Sequence, residues 1–281
     1  MNKVVVGKFF SLDENFNNII EKSLQGREIK NINFISTGWT NIVYEVETND
    51  GNYFFRFPRD DFWIRTIVKD CEFSKYIYGK TDYNTVQLVQ LSNENRAFSM
   101  HKKIEGKALS EKMNDMSLEE IKQVSKEIAE FMYQLHNLKY DKNEIFTTNN
   151  IGLNLVDFLD ELIVKHLHSE DKVFWKYSDF TKKENNCLVH GDLNPGNIIV
   201  DENNHISAII DFGFAGFGNK YFDIARIIGR LPVEFKNEII NNYERMSNQK
   251  LDYKILDTEI DLWNKIDSGY INYMRGIGIY E

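Results

Sequence analysis

The chain has 281 residues, of which 42% are hydrophobic and 27% are charged. These are the values of a globular protein, and they exclude collagen-like, coiled-coil and disordered chains. The 34 basic and 43 acidic residues give a formal net charge of −9. This charge argues against bulk binding of nucleic acid, because such binding needs an excess of positive charge, and it permits a cationic partner.

The first part of the chain, up to about residue 105, predicts strands interrupted by one helix. Asp50 and Gly51 lie between two alternating segments, a strong signal for a β-hairpin, because both residue types can adopt positive φ. The segment Phe62–Tyr78 has apolar residues at helical spacing, and Gly79 follows at the position of a helix-ending glycine. The predicted strands are Asn31–Ser36, Ile42–Glu47, Tyr53–Phe57, Thr85–Leu91 and Ala97–Met100.

From Ser117 onwards the pattern becomes helical. Ser117 and Glu120 form a capping box, and apolar residues then recur at spacings of three and four. Short strands and further helices follow, and this order predicts an α+β fold of two lobes. The strands are predicted at Cys187–Val189, Asn197–Val200 and His205–Ile210, and the helices at Asp223–Leu231, Val233–Met246 and Tyr253–Asp267, with a last piece ending at Arg275.

The chain carries no pattern typical of secretion or membrane insertion. Cys71 and Cys187 lie far apart and outside any CxxC pattern, so we expect neither a disulfide framework nor a zinc cluster. No segment approaches the roughly 18 apolar residues of a membrane helix, and the apolar run Val4–Val6 is too short for a signal peptide. We therefore expect a cytoplasmic monomer without nucleic-acid or membrane partners.

Two short motifs in the second half of the chain carry recognisable chemistry. The segment His190–Asn197 has the pattern H-x-D-x-x-x-x-N, and Asp211 begins an Asp-Phe-Gly after a predicted strand. Phosphoryl transfer needs a metal to neutralise phosphate oxygens and a carboxylate to orient and deprotonate the acceptor hydroxyl. Asp192 could be that base, while Asn197 and Asp211 offer the oxygen ligands that Mg²⁺ prefers. In this order, and between short strands, the motifs match the signature set of kinases.

On these residues, together with Asp223 and the segment Phe131–His136, the sequence resembles the aminoglycoside phosphotransferases. These are small-molecule kinases of the protein-kinase-like fold, and the resemblance extends from about Ile32 to Tyr273. It implies an α+β bilobal fold with a nucleotide in the cleft between the lobes. Residues 1–100 would form an N-lobe of antiparallel sheet with one helix, residues 101–106 a hinge, and residues 107–281 a mostly helical C-lobe.

The resemblance also assigns roles to the motif residues. Asp192 would be the catalytic base, and His190 would support its loop. Asn197 and Asp211 would hold Mg²⁺. Asp223, further along the chain, also carries the resemblance but receives no role from it.

The N-lobe positions of the family match less closely. Gly38 and Thr40 lie between two predicted strands, where such kinases place a loop over the phosphates, although this segment is not a G-x-G-x-x-G. Arg56 stands where the family has a lysine that binds the phosphates, and Glu72 is its predicted partner. Arginine keeps the charge but presents a planar fork, so the preference between ATP and GTP stays open.

The hinge is predicted to follow the strand that ends near Met100. Nucleotide bases are held in such hinges by backbone groups, which demand little of the side chains. The sequence places His101 and Lys103 in this segment and Met100 at the back of the base pocket. We therefore count these three residues among the candidates for nucleotide binding.

The acceptor is expected on the C-lobe, beside the catalytic loop. Kinases of aminoglycosides line this cleft with carboxylates that bind ammonium groups. Arg226 and Arg230, on the predicted helix after Asp223, would disfavour such a polycation. The candidate acceptor residues are Asp192, Glu234, Glu238, Asp261, Asp267 and, as a possible wall, Trp263.

Three functions stay open at this point. The first is a phosphotransferase that uses Mg²⁺ and ATP or GTP to phosphorylate a cationic acceptor, an aminoglycoside, and so to confer antibiotic resistance. The second is a kinase of another small hydroxylated molecule, which could be a choline-like amine, a macrolide or a sugar derivative. For a choline-like amine, Trp263, Tyr270 and Tyr273 could form an aromatic box. The third is a weakly active nucleotide-binding regulator, a hypothesis that rests on Arg56 and the single-glycine loop.

Overall fold

The computed structural model describes residues 14–37, 39–59, 61–86, 88–93, 96–140, 154–167, 175–181 and 187–276. These residues form an N-terminal lobe built on an antiparallel sheet and a mostly helical C-terminal lobe. The helices are α1 (Glu14–Ser23), α2 (Asp61–Ile77), α3 (Leu109–Lys112), α4 (Leu118–His136), α5 (Leu155–Leu162), α6 (Tyr221–Ile228), α7 (Val233–Ser247) and α8 (Tyr253–Gly276). The strands are β1 (Ile29–Thr37), β2 (Asn41–Thr48), β3 (Gly51–Pro58), β4 (Val89–Asn93), β5 (Arg96–Lys102), β6 (Lys107–Ala108), β7 (Cys187–Val189), β8 (Ile198–Val200), β9 (Ile206–Ile209) and β10 (Gly216–Gly218).

The N-terminal sheet has the strand order β1-β2-β3-β5-β4, and its neighbouring strands are antiparallel. The predicted hairpin is present between β2 and β3, but its turn residues are Asn49 and Asp50, because Thr48 pairs with Gly51. Gly51 has a φ of +128°, a conformation that glycine adopts without steric cost. The glycine therefore begins β3 instead of lying within the turn.

Side chains of β3 alternate between the lobe's core and the cleft. Phe55 and Phe57 are buried in the core, whereas Phe54 and Arg56 line a cavity between the lobes. Helix α1, which the sequence analysis did not predict, covers the core face of the sheet. Its buried apolar residues there are Ile19 and Ile20, followed by Leu24 just beyond the helix end.

Strand β4 begins at Val89, although the sequence pattern predicted a strand from Thr85. Thr85 instead forms an isolated parallel bridge with Ile209 of the C-terminal lobe. The backbone N–H of Ile209 also donates to the carbonyl oxygen of Asn84 at 3.0 Å. The segment before β4 therefore connects the two lobes instead of extending the sheet.

The C-terminal lobe packs α4 against α7 and α6 against α8 around one apolar core. The predicted capping box of Ser117 and Glu120 begins α4. Helix α8 is one continuous helix of 24 residues, where the pattern predicted two pieces. Helix α5 was not predicted; the side chain of Asn154 caps it by accepting the N–H of Asp157. Among the described helices, none is long and apolar enough to cross a bilayer.

Two small sheets hold the motif-bearing loops of this lobe. One has the strand order β6-β8-β9, and the other pairs β7 with β10. Residues 190–197 connect β7 to β8, and residues 210–215 connect β9 to β10. Both loops therefore leave the sheets on the side that faces the N-terminal lobe, where the cavities between the lobes lie.

Candidate active site

Two adjoining cavities lie between the lobes. One has a volume of about 630 Å³ and the other of about 300 Å³. Val43, Arg56 and Asp211 line both of them. A charged pair from opposite lobes thus stands at the junction of two compartments that differ in chemistry.

The larger cavity has apolar walls from both lobes. Val43 and Val86 contribute from the N-terminal side, and Ile199 and Ile210 from the C-terminal side. Apolar walls on both sides suit an aromatic base. The residues 103–108 that follow the sheet form part of its rim.

Two of the three predicted hinge residues line this cavity, and the third does not. His101 and Lys103 line it, and the ammonium of Lys103 pairs with Glu45 at 2.8 Å. Burial lowers the pKa of His101 to about 4, so its ring is neutral at pH 7. Met100 packs against the core of the N-terminal lobe instead. Successive side chains of a strand point to opposite faces, so His101 and Met100 cannot both face the cleft.

Arg56 forms the centre of a charged cluster that joins the lobes. Its guanidinium contacts the carboxylate of Asp70 on α2 and, at 2.8 Å, Oδ1 of Asp211. The predicted partner Glu72 was wrong: the ion pair is made by Asp70, two residues earlier on the helix. Asp70 also accepts the backbone N–H of Phe212 at 2.8 Å, so one carboxylate fixes both Arg56 and the Asp-Phe-Gly segment.

The cluster sets the charge of its members. Burial opposes the positive charge of Arg56, but Asp211 and Asp70 outweigh it and hold its pKa above the ordinary value. Burial likewise opposes the negative charge of Asp211, and Arg56 outweighs it, so the pKa of Asp211 lies below its usual range. Both groups therefore carry full charge at neutral pH.

Asp192 lies in the smaller cavity with a defined set of partners. Its Oδ1 accepts the Nε–H of Arg226 at 2.7 Å. The side-chain amide of Asn197 donates to the backbone oxygen of Asp192 at 2.9 Å and lies 3.4 Å from Oδ2. These contacts orient the carboxylate and leave Oδ2 the less engaged oxygen.

His190 and Asp223 support the loop from below. The ring of His190 is buried, with Nε2 at 3.0 Å from the carbonyl oxygen of Ile210. The carboxylate of Asp223 accepts the backbone N–H groups of His190 and Gly191, each at 2.8 Å, and contacts His136 at 3.1 Å. Neither His190 nor Asp223 lines either cavity, so both act on the loop and not on a ligand.

Gly191 lets the loop pass close to the Asp-Phe-Gly segment. Its φ is +80°, and a Cβ there would lie 2.3 Å from the carbonyl oxygen of Phe214. Only glycine fits both constraints. The approach holds Asp192 and Asp211 at the same edge of the cleft.

Asn197 and Asp211 present oxygen donors to the same cavity. The Asn197 amide nitrogen is occupied by Asp192, which leaves its Oδ1 as an acceptor, and both residues line the larger cavity. Asp211 has a φ of +67°, unusual for a residue other than glycine, and such strain is often found at functional sites. A carboxylate and an amide oxygen that line one cavity fit the ligand preference of Mg²⁺.

The smaller cavity is walled by aromatic side chains from both lobes. Trp39 and Thr40 contribute from the loop between β1 and β2, and Trp63, Trp263 and Tyr270 from helices. The ring of Tyr270 stacks on that of Trp39 with centroids 4.6 Å apart, and its hydroxyl donates to the Trp39 backbone oxygen. Thr40, predicted to lie over the nucleotide phosphates, lines this smaller cavity and not the larger one, and Gly38 falls outside the described residues.

Two arginines of α6 and its C-terminal turn form the polar side of this cavity. Nη1 of Arg226 donates to both carboxylate oxygens of Asp267, at 2.9 and 2.7 Å, and the guanidinium lies 4.5 Å from the centre of the Trp263 ring. Arg230 also contacts Asp267. Trp263 therefore lines the cavity as predicted, but Asp267 lies behind the arginines and does not line it.

The predicted acidic lining of the acceptor site is wrong in most of its members. Glu234 and Glu238 lie on α7, which packs against α4, and neither residue lines the cavity. Asp261 is exposed on α8. Of the predicted acceptor carboxylates, Asp192 alone lines the cavity among the described residues.

Sequence reasoning missed several residues of the site. Asp70 belongs to no motif. Its place on α2, the helix that follows the strand of Arg56, was the one available signal. Trp39 and Trp63 lay in segments read as loop or helix, without any pattern that distinguishes a cavity wall from a core. Of the three residues considered for an aromatic box, Trp263 and Tyr270 line the smaller cavity, whereas Tyr273 does not.

Comparison with known proteins gives a family match over most of the chain. The model described as "Phosphotransferase enzyme family" matches residues 31–255. The GDP and kanamycin complex of APH(2")-IIia superposes with a TM-score of 0.70 over 95% of this chain and 94% of that one, at 18% identity. The streptomycin–ATP ternary complex of APH(2")-IIa gives 0.66 over 93% and 91%, at 19% identity. At these identities the likeness shows the fold, and it confirms the predicted protein-kinase-like α+β architecture.

A curated relative matches over part of its length. Hydroxylysine kinase of Mus musculus is 31% identical over 134 residues, which is 42% of this chain and 34% of that protein. The match therefore spans about a third of the relative. The predicted resemblance to the phosphotransferase family is confirmed by the family match.

Proposed function

This chain belongs to the phosphotransferase enzyme family, and from that premise we propose that it transfers the γ-phosphoryl group of a magnesium-bound purine nucleoside triphosphate to a hydroxyl group of a small molecule. One observation carries the proposal: Asp192, Asn197 and Asp211 meet where an apolar cavity adjoins a polar one. The first cavity suits a nucleobase, and the second suits an acceptor.

The chain's own residues supply the remaining steps. The acceptor hydroxyl lies against Oδ2 of Asp192, which takes its proton, while Arg226 holds Oδ1. A bond forms between the acceptor oxygen and the γ-phosphorus, the bond from that phosphorus to the bridging oxygen breaks, and the nucleoside diphosphate leaves. Arg56, held by Asp70, binds phosphate oxygens from the N-terminal side.

Asn197 and Asp211 would hold Mg²⁺. The metal would neutralise the charge of the phosphate oxygens during transfer. Both protein donors are oxygens, and both line the nucleotide cavity. The proposed phosphoryl donor is ATP or GTP.

An aminoglycoside is the predicted acceptor, and relatives in fold are complexes with kanamycin and streptomycin. The relative from mouse bears the name of a kinase of an amino acid. A choline-like amine, a macrolide and a sugar derivative stay as further acceptors. The class of acceptor must therefore be inferred from the residues that line the cavity.

The proposal is tested by nucleoside diphosphate release with Mg-ATP and Mg-GTP in parallel. The acceptor panel contains kanamycin, choline, a macrolide, a neutral sugar and 5-hydroxylysine. We expect Asp192→Asn to lower acceptor-dependent release by at least about 10³-fold, because general-base catalysis and positioning are lost together. Nucleotide affinity should stay within about threefold, since Asp192 does not line the nucleotide cavity.

The matched control is Asp261→Asn, the same change at an exposed position of α8. It should leave release unchanged. Retained turnover in Asp192→Asn would remove the base assignment. Failure of the unaltered protein to bind either magnesium nucleotide would overturn the phosphotransferase proposal itself.

A further inference from the structure

We infer that the acceptor carries an oxyanion, a carboxylate or a phosphate ester, which Arg230 and Arg226 bind beside the reacting hydroxyl. This inference rests on the proposed function and names the substrate class of the same site. It starts from the charge on the cavity wall and not from any relative.

The guanidinium groups keep donors that no contact with a described residue uses. Arg230 makes one contact within the described residues, from Nη2 to Asp267, and its side chain is 40% exposed. Arg226 donates through Nε and Nη1, to Asp192 and Asp267, and none of its contacts with described residues uses Nη2. Both arginines line the cavity. Guanidinium donors at a cavity wall are suited to bind a carboxylate or a phosphate.

The orientation of the two groups is fixed before any ligand arrives. The carboxylate of Asp267 lies behind both guanidiniums and bridges them. Trp263 lies against the face of the Arg226 guanidinium at 4.5 Å. Arg226 is nine-tenths or more buried, since its side chain is 6% exposed. Arginine side chains that are held in place in this way lose little conformational freedom on binding an anion.

The same arrangement disfavours a polycationic acceptor. Of the acids near the arginines, Asp267 is turned away from the cavity and Asp192 is engaged by Arg226. An ammonium group in this cavity would meet Arg226 and Arg230 at its wall. The carboxylates among the described lining residues, Asp192 and Asp211, are already paired with Arg226 and Arg56. Like charges at such distances repel, and an acceptor with several ammonium groups would meet that repulsion more than once.

The geometry also limits the size of the acceptor. Arg226 donates directly to Asp192 at 2.7 Å, so an oxyanion on its free edge lies close to the hydroxyl that Asp192 deprotonates. The cavity of about 300 Å³ is at the lower end of the usual range for ligand sites. A hydroxy acid, a hydroxylated amino acid, a sugar acid or a sugar phosphate fits these limits.

The experiment measures binding, so that it does not depend on turnover. Trp39, Trp63 and Trp263 line the cavity, and their fluorescence reports occupation. The protein is saturated with Mg-ADP and titrated with matched pairs that differ in charge: 5-hydroxylysine against its carboxamide, glucuronate against glucose, and glucose 6-phosphate against glucose. Kanamycin is the polycationic comparison.

The variant is Arg230→Met, and its matched control is Arg245→Met, the same change at an exposed position of α7. We expect at least one charged member to bind about tenfold or more tightly than its neutral counterpart. Arg230→Met should weaken that binding about 10- to 100-fold and leave neutral members and Mg-ADP unchanged, while Arg245→Met changes nothing. The carboxylate and phosphate pairs distinguish the two sources of the oxyanion.

The outcomes separate this inference from the proposed function. If Mg-ADP binds but charged members gain no advantage over neutral ones, or kanamycin binds more tightly than all of them, the oxyanion inference is overturned and the phosphotransferase proposal stands. If Arg230→Met leaves the charged members' affinity unchanged, Arg230 does not bind them. If Mg-ADP itself fails to bind, both proposals fail.

Discussion

The ion pair of Arg56 depends on which acidic side chain of α2 faces the cleft. The acids at positions 70 and 72 lie on the same helix, about 200° apart around its axis, and so point to nearly opposite sides. Asp70 is buried under the cleft, where it reaches both Arg56 and the backbone of Phe212. The choice between the two acids depends on how α2 is rotated against the sheet, which no local pattern contains.

The assignment of Asp70 leads to a prediction at the residue scale. Asp70→Asn should weaken Mg-nucleotide binding about 10- to 100-fold, because the guanidinium of Arg56 loses its buried counter-charge. Glu72→Gln, the neighbouring acid changed in the same way, should alter it by about threefold or less. Calorimetric titration with Mg-ATP measures both. A larger loss in Glu72→Gln than in Asp70→Asn would restore the original pairing.

The contact between α4 and the β8–β9 turn shows how an element is anchored. Glu127 of α4 accepts the backbone N–H of Ile206 at 2.8 Å and lies 2.7 Å from the ring nitrogen of His205. The hydrogen bond to Glu127 is the main cause of a raised His205 pKa, and Asp201 adds a smaller contribution. The motif-bearing loops emerge from this same small sheet, so the contact helps to hold the sheet against the helix.

This contact predicts a pH dependence of stability. Because the folded pKa of His205 is raised, its contribution is fully present below the unfolded pKa of about 6.5 and is lost as pH rises through the folded value. The ring of His205 is largely exposed, so the pair should be worth only about 0.5 kcal/mol. His205→Gln should lower the unfolding free energy at pH 5.5 and have no effect at pH 9.

Titration of the ring by NMR checks the cause directly. The midpoint of His205 should lie above about 6.5 in the unaltered protein and return towards that value in Glu127→Gln. Added salt should shrink the difference, since the His205 ring is exposed to solvent. A midpoint at or below about 6.5 in the unaltered protein would contradict the contact.

At the scale of the whole molecule, the site exists only where the two lobes meet. Arg56 comes from the sheet and Asp211 from the C-terminal lobe, and the stack of Trp39 on Tyr270 joins the lobes on the other side of the cavity. A nucleotide held by both lobes therefore adds contacts across this boundary. Its binding should stabilise the whole chain and not one lobe alone.

The prediction at this scale concerns thermal unfolding with and without metal. A magnesium nucleotide at about 100 times its dissociation constant should add about 2.7 kcal/mol to the unfolding free energy, which raises Tm by several degrees. Chelation of Mg²⁺ with EDTA should remove most of that gain. Asp211→Asn should lose it even with Mg²⁺ present, whereas Asp257→Asn, at an exposed position of α8, should keep it.

Equal nucleotide stabilisation of Asp211→Asn and the unaltered protein would show that Asp211 does not hold the metal. A gain that persists in EDTA would show that the nucleotide binds without it.

The sequence by itself determined the fold class and the chemistry of the catalytic edge. His190, Asp192 and Asn197 lie within eight consecutive residues, and Asp211 follows the paired strands β8 and β9, so one short stretch of the chain carries the whole set. The hairpin, helix α2 and the capping box of α4 were likewise predictable, because each depends on residues a few positions apart.

The tertiary structure alone decided which residues that are far apart in sequence are in contact. Asp192 contacts Arg226, Arg226 contacts Asp267, and Trp39 stacks on Tyr270, although these residues are 34 to 231 positions apart. The acids at 234 and 238 looked suited to an acceptor, yet α7 packs on α4 and neither acid lines the cavity. A local pattern fixes which residues share a face, but the docking of faces is set by packing of the whole chain, and that docking placed arginines where carboxylates were expected.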